Sequence, residues 1–162
     1  EDGGSEAERG IGAGVKLGFG VSDQVTIFVR GDFASVSYAK EVAELDADPY
    51  TLASIDLAGR YSFGAGPVPL RPYAELGLSG TAIHDKLNIE DDIYYDATYS
   101  GAGLLVGFGL EYFLNRNVAL DAGLLLGKGR LTNFEIDGEP FDRTEDLDYT
   151  TVRMNLGFVF RP

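Results

Sequence analysis

The chain has 162 residues, a formal charge of −13, and neither cysteine nor tryptophan. The length fits one domain. The acidic balance leaves no basic face for nucleic-acid phosphates, and the lack of cysteine removes disulfides, thiolate metal sites and cysteine nucleophiles.

Residues 1–9, from Glu1 to Arg9, are polar and read as loop. From Gly10 onward, glycine is spread through every apolar segment, which disfavours helix by about 1 kcal/mol per residue relative to alanine. The dominant period is two, the period of a strand. In residues 10–21, Ile11, Ala13, Val15, Leu17, Phe19 and Val21 alternate with Gly10, Gly12, Gly14, Lys16, Gly18 and Gly20. Residues 24–38 follow after the short Ser22-Asp23 turn, and 50–63 after a long connection, 39–49. A compact Gly64-Ala65-Gly66-Pro67-Val68-Pro69 turn leads to a strand over 70–84. A second long connection, 85–100, precedes 101–114, and Asn115-Arg116-Asn117 links that strand to 118–133. A third, 134–148, precedes 149–161.

These are seven long strands, mostly of 12 residues or more where about 5–6 is usual. Short and long connections alternate. An up-and-down meander therefore gathers the short turns at one end and the long loops at the other, as in transmembrane barrels. The long connections also concentrate acid: Asp85, Glu90, Asp91, Asp92 and Asp96 in one, Glu135, Asp137, Glu139, Asp142, Glu145, Asp146 and Asp148 in another.

One face of each strand is apolar, and the other face identifies the solvent. It is mostly glycine, alanine, serine and threonine with isolated charges: Lys16, Arg30, Asp32, Asp56, Arg60, Arg71, Glu75, Glu111, Asp121 and Arg153. Five are positive and five negative. A water-facing surface in a chain at −13 has no reason to balance, whereas a sealed interior does, because an unpaired buried charge is costly. Small residues also suit a narrow barrel. The expected fold is thus an all-β, antiparallel up-and-down transmembrane barrel with hydrocarbon against the Val/Leu/Phe rows. The rival is a soluble sandwich or ligand-binding barrel with the apolar face inward.

On 118–133 the apolar face runs from Val118 to Leu126 and then turns to Lys128 and Arg130. Ten tilted residues cover roughly 25 Å, the height of an outer-membrane apolar band. Lys128 and Arg130 are therefore expected at headgroup level, as ordinary interfacial side chains or as contacts for lipopolysaccharide phosphates. Aromatic girdles are expected at both interfaces: Tyr38, Tyr50, Tyr99 and Tyr149 at the long-loop end, and Phe19, Tyr61, Phe63, Tyr112, Phe113, Phe158 and Phe160 at the short-turn end. Phe28, Tyr73, Leu105, Phe113 and Leu125 fall on the inner face as lumen plugs.

The segment Val152-Arg153-Met154-Asn155-Leu156-Gly157-Phe158-Val159-Phe160 resembles the aromatic-ended final strand read by the barrel-assembly machinery. Over residues 10–162 the chain resembles barrel domains of the outer-membrane protein A and X type, with Arg161-Pro162 as an extra extension. The resemblance implies eight strands, both termini periplasmic, a bacterial outer-membrane location, lipid and lipopolysaccharide as surroundings, and a monomer whose Phe158 and Phe160 are the assembly signal. Only seven strands are visible, so a first strand is expected to be missing and residues 1–9 to be the remnant of an external loop.

Catalysis finds little purchase. His84 is the one histidine, and the nearest strand serine, Ser79, is five residues away, a poor match to lipid-modifying barrel hydrolases that pair a histidine with a serine. Asp91, Asp92, Asp96, Asp137, Glu139 and Asp142 are oxygen donors for hard cations, but no EF-hand-like spacing appears, and no metal or cofactor is expected. Gly10-Ile11-Gly12-Ala13-Gly14 is no nucleotide loop, since no helix follows. An eight-strand lumen is barely wide enough for side chains, so a plugged barrel is expected ahead of a narrow diffusion pore.

Overall fold

The computed structural model describes residues 9–37, 49–64, 69–90, 93–136, 139–140 and 147–160. Seven long strands form one antiparallel sheet in chain order: β1 (Arg9–Gly20), β2 (Val25–Ser37), β3 (Tyr50–Ser62), β4 (Leu70–Glu90), β5 (Ile93–Phe113), β6 (Val118–Ile136) and β8 (Leu147–Phe160). The two-residue β7 (Glu139–Pro140) pairs with the outer end of β6 and adds no wall. No helix of the described residues is long and apolar enough to cross a membrane.

Local chemistry closes the short turns. Ser22 Oγ accepts from the amides of Gln24 and Val25 at 3.3 and 3.1 Å, and Asn115 Oδ1 accepts from Asn117 and Val118 at 2.9 Å each. Such side chains replace a backbone turn bond. Gly64 leaves β3 at φ +92°, a conformation disfavoured for residues with a Cβ.

The long-loop end departs from expectation. Residues 85–100, read as a loop, are largely strand: Asp85 pairs with Ala97, Lys86 with Asp96, Leu87 with Tyr95 and Asn88 with Tyr94. The β3 pairing stops at His84, so the β4–β5 hairpin rises past its neighbour. Its acidic residues break the apolar alternation because this part stands beyond the band that needs it. The β6 strand likewise runs on to Ile136, past an irregularity that leaves Thr132 without a ladder partner. Residues 1–8, and most of the 39–49 loop, lie outside the described residues, as do Asp91, Asp92, Asp137 and Asp142.

The apolar rows face outward. Ile11, Leu17, Ile55, Leu76, Leu104 and Leu156 are exposed, and Met154 reaches 87% exposure. The centre is instead polar, with Asp56 and Glu111 at 0% and 1%. That distribution matches lipid as the outer solvent and excludes a soluble core. Inside, bulk on one strand meets glycine on the next. Leu105 stands opposite Gly77 and Gly127, and Tyr73 opposite Gly109. A Cβ at Gly109 or Gly123 would strike the Tyr73 hydroxyl, and one at Gly107 would strike Leu125 Cδ2.

Among the described residues, β1 pairs only with β2 and β8 only with β6, so the sheet curls without a ladder between β1 and β8.

Candidate functional site: the charged lumen

The period-two pattern sends Lys16 of β1, Arg30 and Asp32 of β2, Asp56 and Arg60 of β3, Arg71 and Glu75 of β4, Glu111 of β5, Asp121 of β6 and Arg153 of β8 to the concave side. Register then sets neighbours: Arg30 lies opposite Asp56, Arg60 opposite Glu75, Arg71 opposite Glu111, and Glu111 opposite Asp121. Opposite charges face one another across three of those four rungs.

Arg60 is the hub. Its Nε and Nη2 donate to Glu75 Oε1 at 2.8 and 2.5 Å, and its Nη1 donates to Glu111 Oε1 and Asp121 Oδ2 at 2.6 Å each. The Glu111–Asp121 rung, which would repel by itself, is held by this shared cation. The guanidinium also lies 3.5 Å from the Tyr73 ring centroid, and Tyr73 donates to Asp121 Oδ1 at 3.0 Å. Arg30 donates to Asp56 Oδ2 through Nε and Nη2 at 3.0 and 2.8 Å, and through Nη1 to Glu75 Oε2 at 3.3 Å. Arg153 reaches from β8 across the lumen, donating to Asp32 and Asp56 at 3.0 Å and to Ser54 at 2.7 Å. Lys16 reaches the other way, 3.5 Å from Glu75 and 3.9 Å from Asp121. The ammonium also sits 4.8 Å from the Phe28 centroid.

Lys16, Arg30, Asp32, Asp56, Arg60, Glu75, Glu111, Asp121 and Arg153 thus share one network. Arg71 stands at its edge, 5.1 Å from the Phe113 ring centroid and facing Glu111 in register. Sequence reasoning missed Ser79, whose hydroxyl donates to Asp56 Oδ1 at 2.5 Å, and Ser54, because only register reveals which hydroxyl meets which carboxylate.

Apolar residues fill the lumen beside the network. Phe28, Tyr73, Leu105 and Leu125 are buried, and Phe113 is half-buried. Val36, Tyr50, Ala97 and Leu131 join them, unanticipated. The expected long-loop girdle needs correction. Tyr50 is buried, Tyr149 shares a 3.1 Å hydrogen bond with Thr81, and Tyr99 stacks on Phe134 at 4.6 Å. Tyr50 shares the side of β3 that carries Asp56 and Arg60, and Tyr149 that of β8 carrying Arg153, so both turn inward. Tyr38 lies outside the described residues. At the short-turn end Phe19, Tyr61, Phe63, Tyr112, Phe158 and Phe160 do face outward.

Lys128 and Arg130 lie on the outer face of β6, where Arg130 Nε is 3.0 Å from Asp148 Oδ1 in an exposed pair. His84, on the outer face of β4, is 2.9 Å from Thr98 Oγ1, whereas Ser79 is buried in the lumen. The two point to opposite sides of the wall and cannot act together. No cluster of metal-ligating side chains occurs among the described residues.

Comparison with known proteins agrees with this architecture. No curated protein matches the chain. The outer membrane protein beta-barrel domain family matches residues 1–161. A sheet with its apolar rows outside and its charges within, matched over nearly its whole length, belongs to that family: the chain is an integral outer-membrane β-barrel protein.

Proposed function

We infer that this bacterial outer-membrane barrel is a plugged structural and surface-interacting protein rather than a conduit. The observation that supports this is the hydrogen-bonded arginine relay of Arg30, Arg60 and Arg153, which ties β2, β3 and β8 to carboxylates on β2–β6 and crosses the lumen. A conducting pore needs a continuous water path, and a relay of directly bonded ions across the lumen interrupts it. The β4–β5 hairpin, rising past β3, offers the surface for outside partners. Lys128, with Arg130 paired to Asp148, is assigned to anionic headgroups of lipopolysaccharide, and Phe158 and Phe160 to recognition by the assembly machinery of a monomeric chain. No catalytic step is assigned.

A second reading, a narrow diffusion pore, is favoured by a cleft of about 2000 Å3 that reaches Lys16, Arg60 and Arg153 from the β1–β8 side. Conductance of the refolded chain in a planar bilayer separates the two. The plugged reading expects no steady single-channel steps; regular steps scaling with salt concentration would replace it with the pore.

A further inference from the structure

The inner wall is bare at one place. On β5 and β6, Gly101, Gly103, Gly127 and Gly129 take inward positions towards the long-loop end, on the same side as the buried Leu105, Leu125 and Leu131. Four neighbouring positions thus supply no side chain to a space that interior packing would fill.

One side chain crosses it. Tyr149 of β8 stands opposite Gly129, and Gly129 opposite Gly103. Its ring lies on the first of these, since a Cβ at Gly129 would come within 2.7 Å of Tyr149 Cζ. The hydroxyl shares a 3.1 Å hydrogen bond with Thr81 Oγ1 of β4. β5 and β6 stand between β4 and β8 in the sheet, so the tyrosine ties walls that no ladder joins. Two inward positions further along β8, Arg153 bonds Asp32, Ser54 and Asp56. The Tyr149 ring therefore roofs the outer rim of the ionic relay.

A second tyrosine supplies the contrast. Tyr73 of β4 lies against Gly109 and Gly123, is 3% exposed, stacks on the Arg60 guanidinium and donates to Asp121. Several contacts fix it. Tyr149 is half-buried, and its hydroxyl is held by one neutral hydrogen bond. Such a bond shifts an equilibrium by about three- to ten-fold. The glycines beneath the ring put no side chain in the way of rotation about the Tyr149 Cα–Cβ bond.

We propose that Tyr149 is a hinged lid at the outer side of the lumen, latched to Thr81, which swings off its glycine floor to admit water and small solutes to Ser54 and Arg153 while the ionic relay stays closed. The proposal rests on the plugged reading, to which it adds a second seal that moves separately from the first.

The test reads water access with single cysteines, since the chain has none of its own. Ser54→Cys reports from beneath the lid and Ser62→Cys from the short-turn side of the relay; both serines are buried. Each full chain is refolded into phosphatidylcholine vesicles and treated with a membrane-impermeant trimethylammonium methanethiosulfonate, and the rate of modification is followed by mass. Tyr149→Ala removes the roof and is expected to speed labelling of Ser54→Cys by about thirty-fold or more. Tyr149→Phe keeps the ring but loses the latch, and Thr81→Val loses the same bond from β4; each is expected to speed it by about three- to ten-fold. The Ser62→Cys rate is expected to stay unchanged in all three. Heat-dependent gel migration shows that each variant is folded, and Thr81→Val keeps the test readable if Tyr149→Ala is not. Latch variants no faster than the parent overturn the proposal, and so does equal acceleration at both reporters, which would mean a general loosening of the barrel. Unchanged labelling in silent bilayers would remove the lid and leave the plug, whereas steady channel steps from the unsubstituted chain would sink the plugged reading and the lid with it.

Discussion

At the scale of single residues, the lumen is built on shared ions. Arg60 serves three carboxylates at once, so its loss removes the shared cation that holds Glu75, Glu111 and Asp121 together and leaves Glu75 to Arg30 and Lys16 and Asp121 to Lys16 and Tyr73. Arg60→Met is expected to cost about 3–5 kcal/mol, the usual penalty for removing one partner of a buried ionic group. The check is the urea midpoint of folding into micelles, and adding Asp121→Asn should restore part of the loss through a favourable coupling between the two sites. The charges themselves were legible because parity sorts them: every one lies on the small-residue face. Their partners were not, because Arg153 meets Asp32 across 121 residues and only the curl of the sheet joins them. Tyr50 and Tyr149 misled for a related reason. Aromatic character near a strand end suggests an interface, but side-chain parity decides the side.

Whole strands were legible where both faces are under pressure. From β1 to β3, lipid outside and packing inside enforce alternation, and the expected boundaries lie within a residue or two of those observed. On β4 and β5 the pattern fades after His84, where the hairpin leaves the band and its acidic residues look like loop. Backbone pairing does not need that pattern in water. The contrast gives an expectation for the lipid face. Phe108→Arg, opposite Leu124 in the middle of the apolar rows of β5, should destabilise the barrel by about 2–4 kcal/mol, while Thr150→Arg, opposite Lys128 near the outer end of β8, should cost about 0–1 kcal/mol. Equilibrium folding into lipid vesicles would measure both, and equal costs would mean that the outer rows do not meet hydrocarbon.

Taken as a whole, the molecule inverts the usual arrangement of apolar and charged groups. The outside is Val, Leu, Ile and Phe; the inside is salt, hydroxyl and glycine, with aromatic and leucine fillers in the gaps between glycines. Nearly all of the tertiary order lies in ladders between neighbours, with the ionic relay as the main tie across the middle. A folded sample in dodecyl sulfate should therefore migrate apart from a boiled one, as a compact species whose sheet the cold detergent does not open. A single band regardless of heating would argue against a stable barrel.

The irregularity at Thr132 reaches further than one unpaired residue. Counting by twos along β6 from the buried Leu125 places 127, 129 and 131 inside, but Phe134, stacked on Tyr99, occupies the interior beyond it, and Asn133 and Glu135 take the outer positions. The inside–outside code of this strand therefore changes phase between Leu131 and Phe134. Epitope grafts or labels placed beyond Thr132 on the lower strand's numbering would end up facing the wrong compartment.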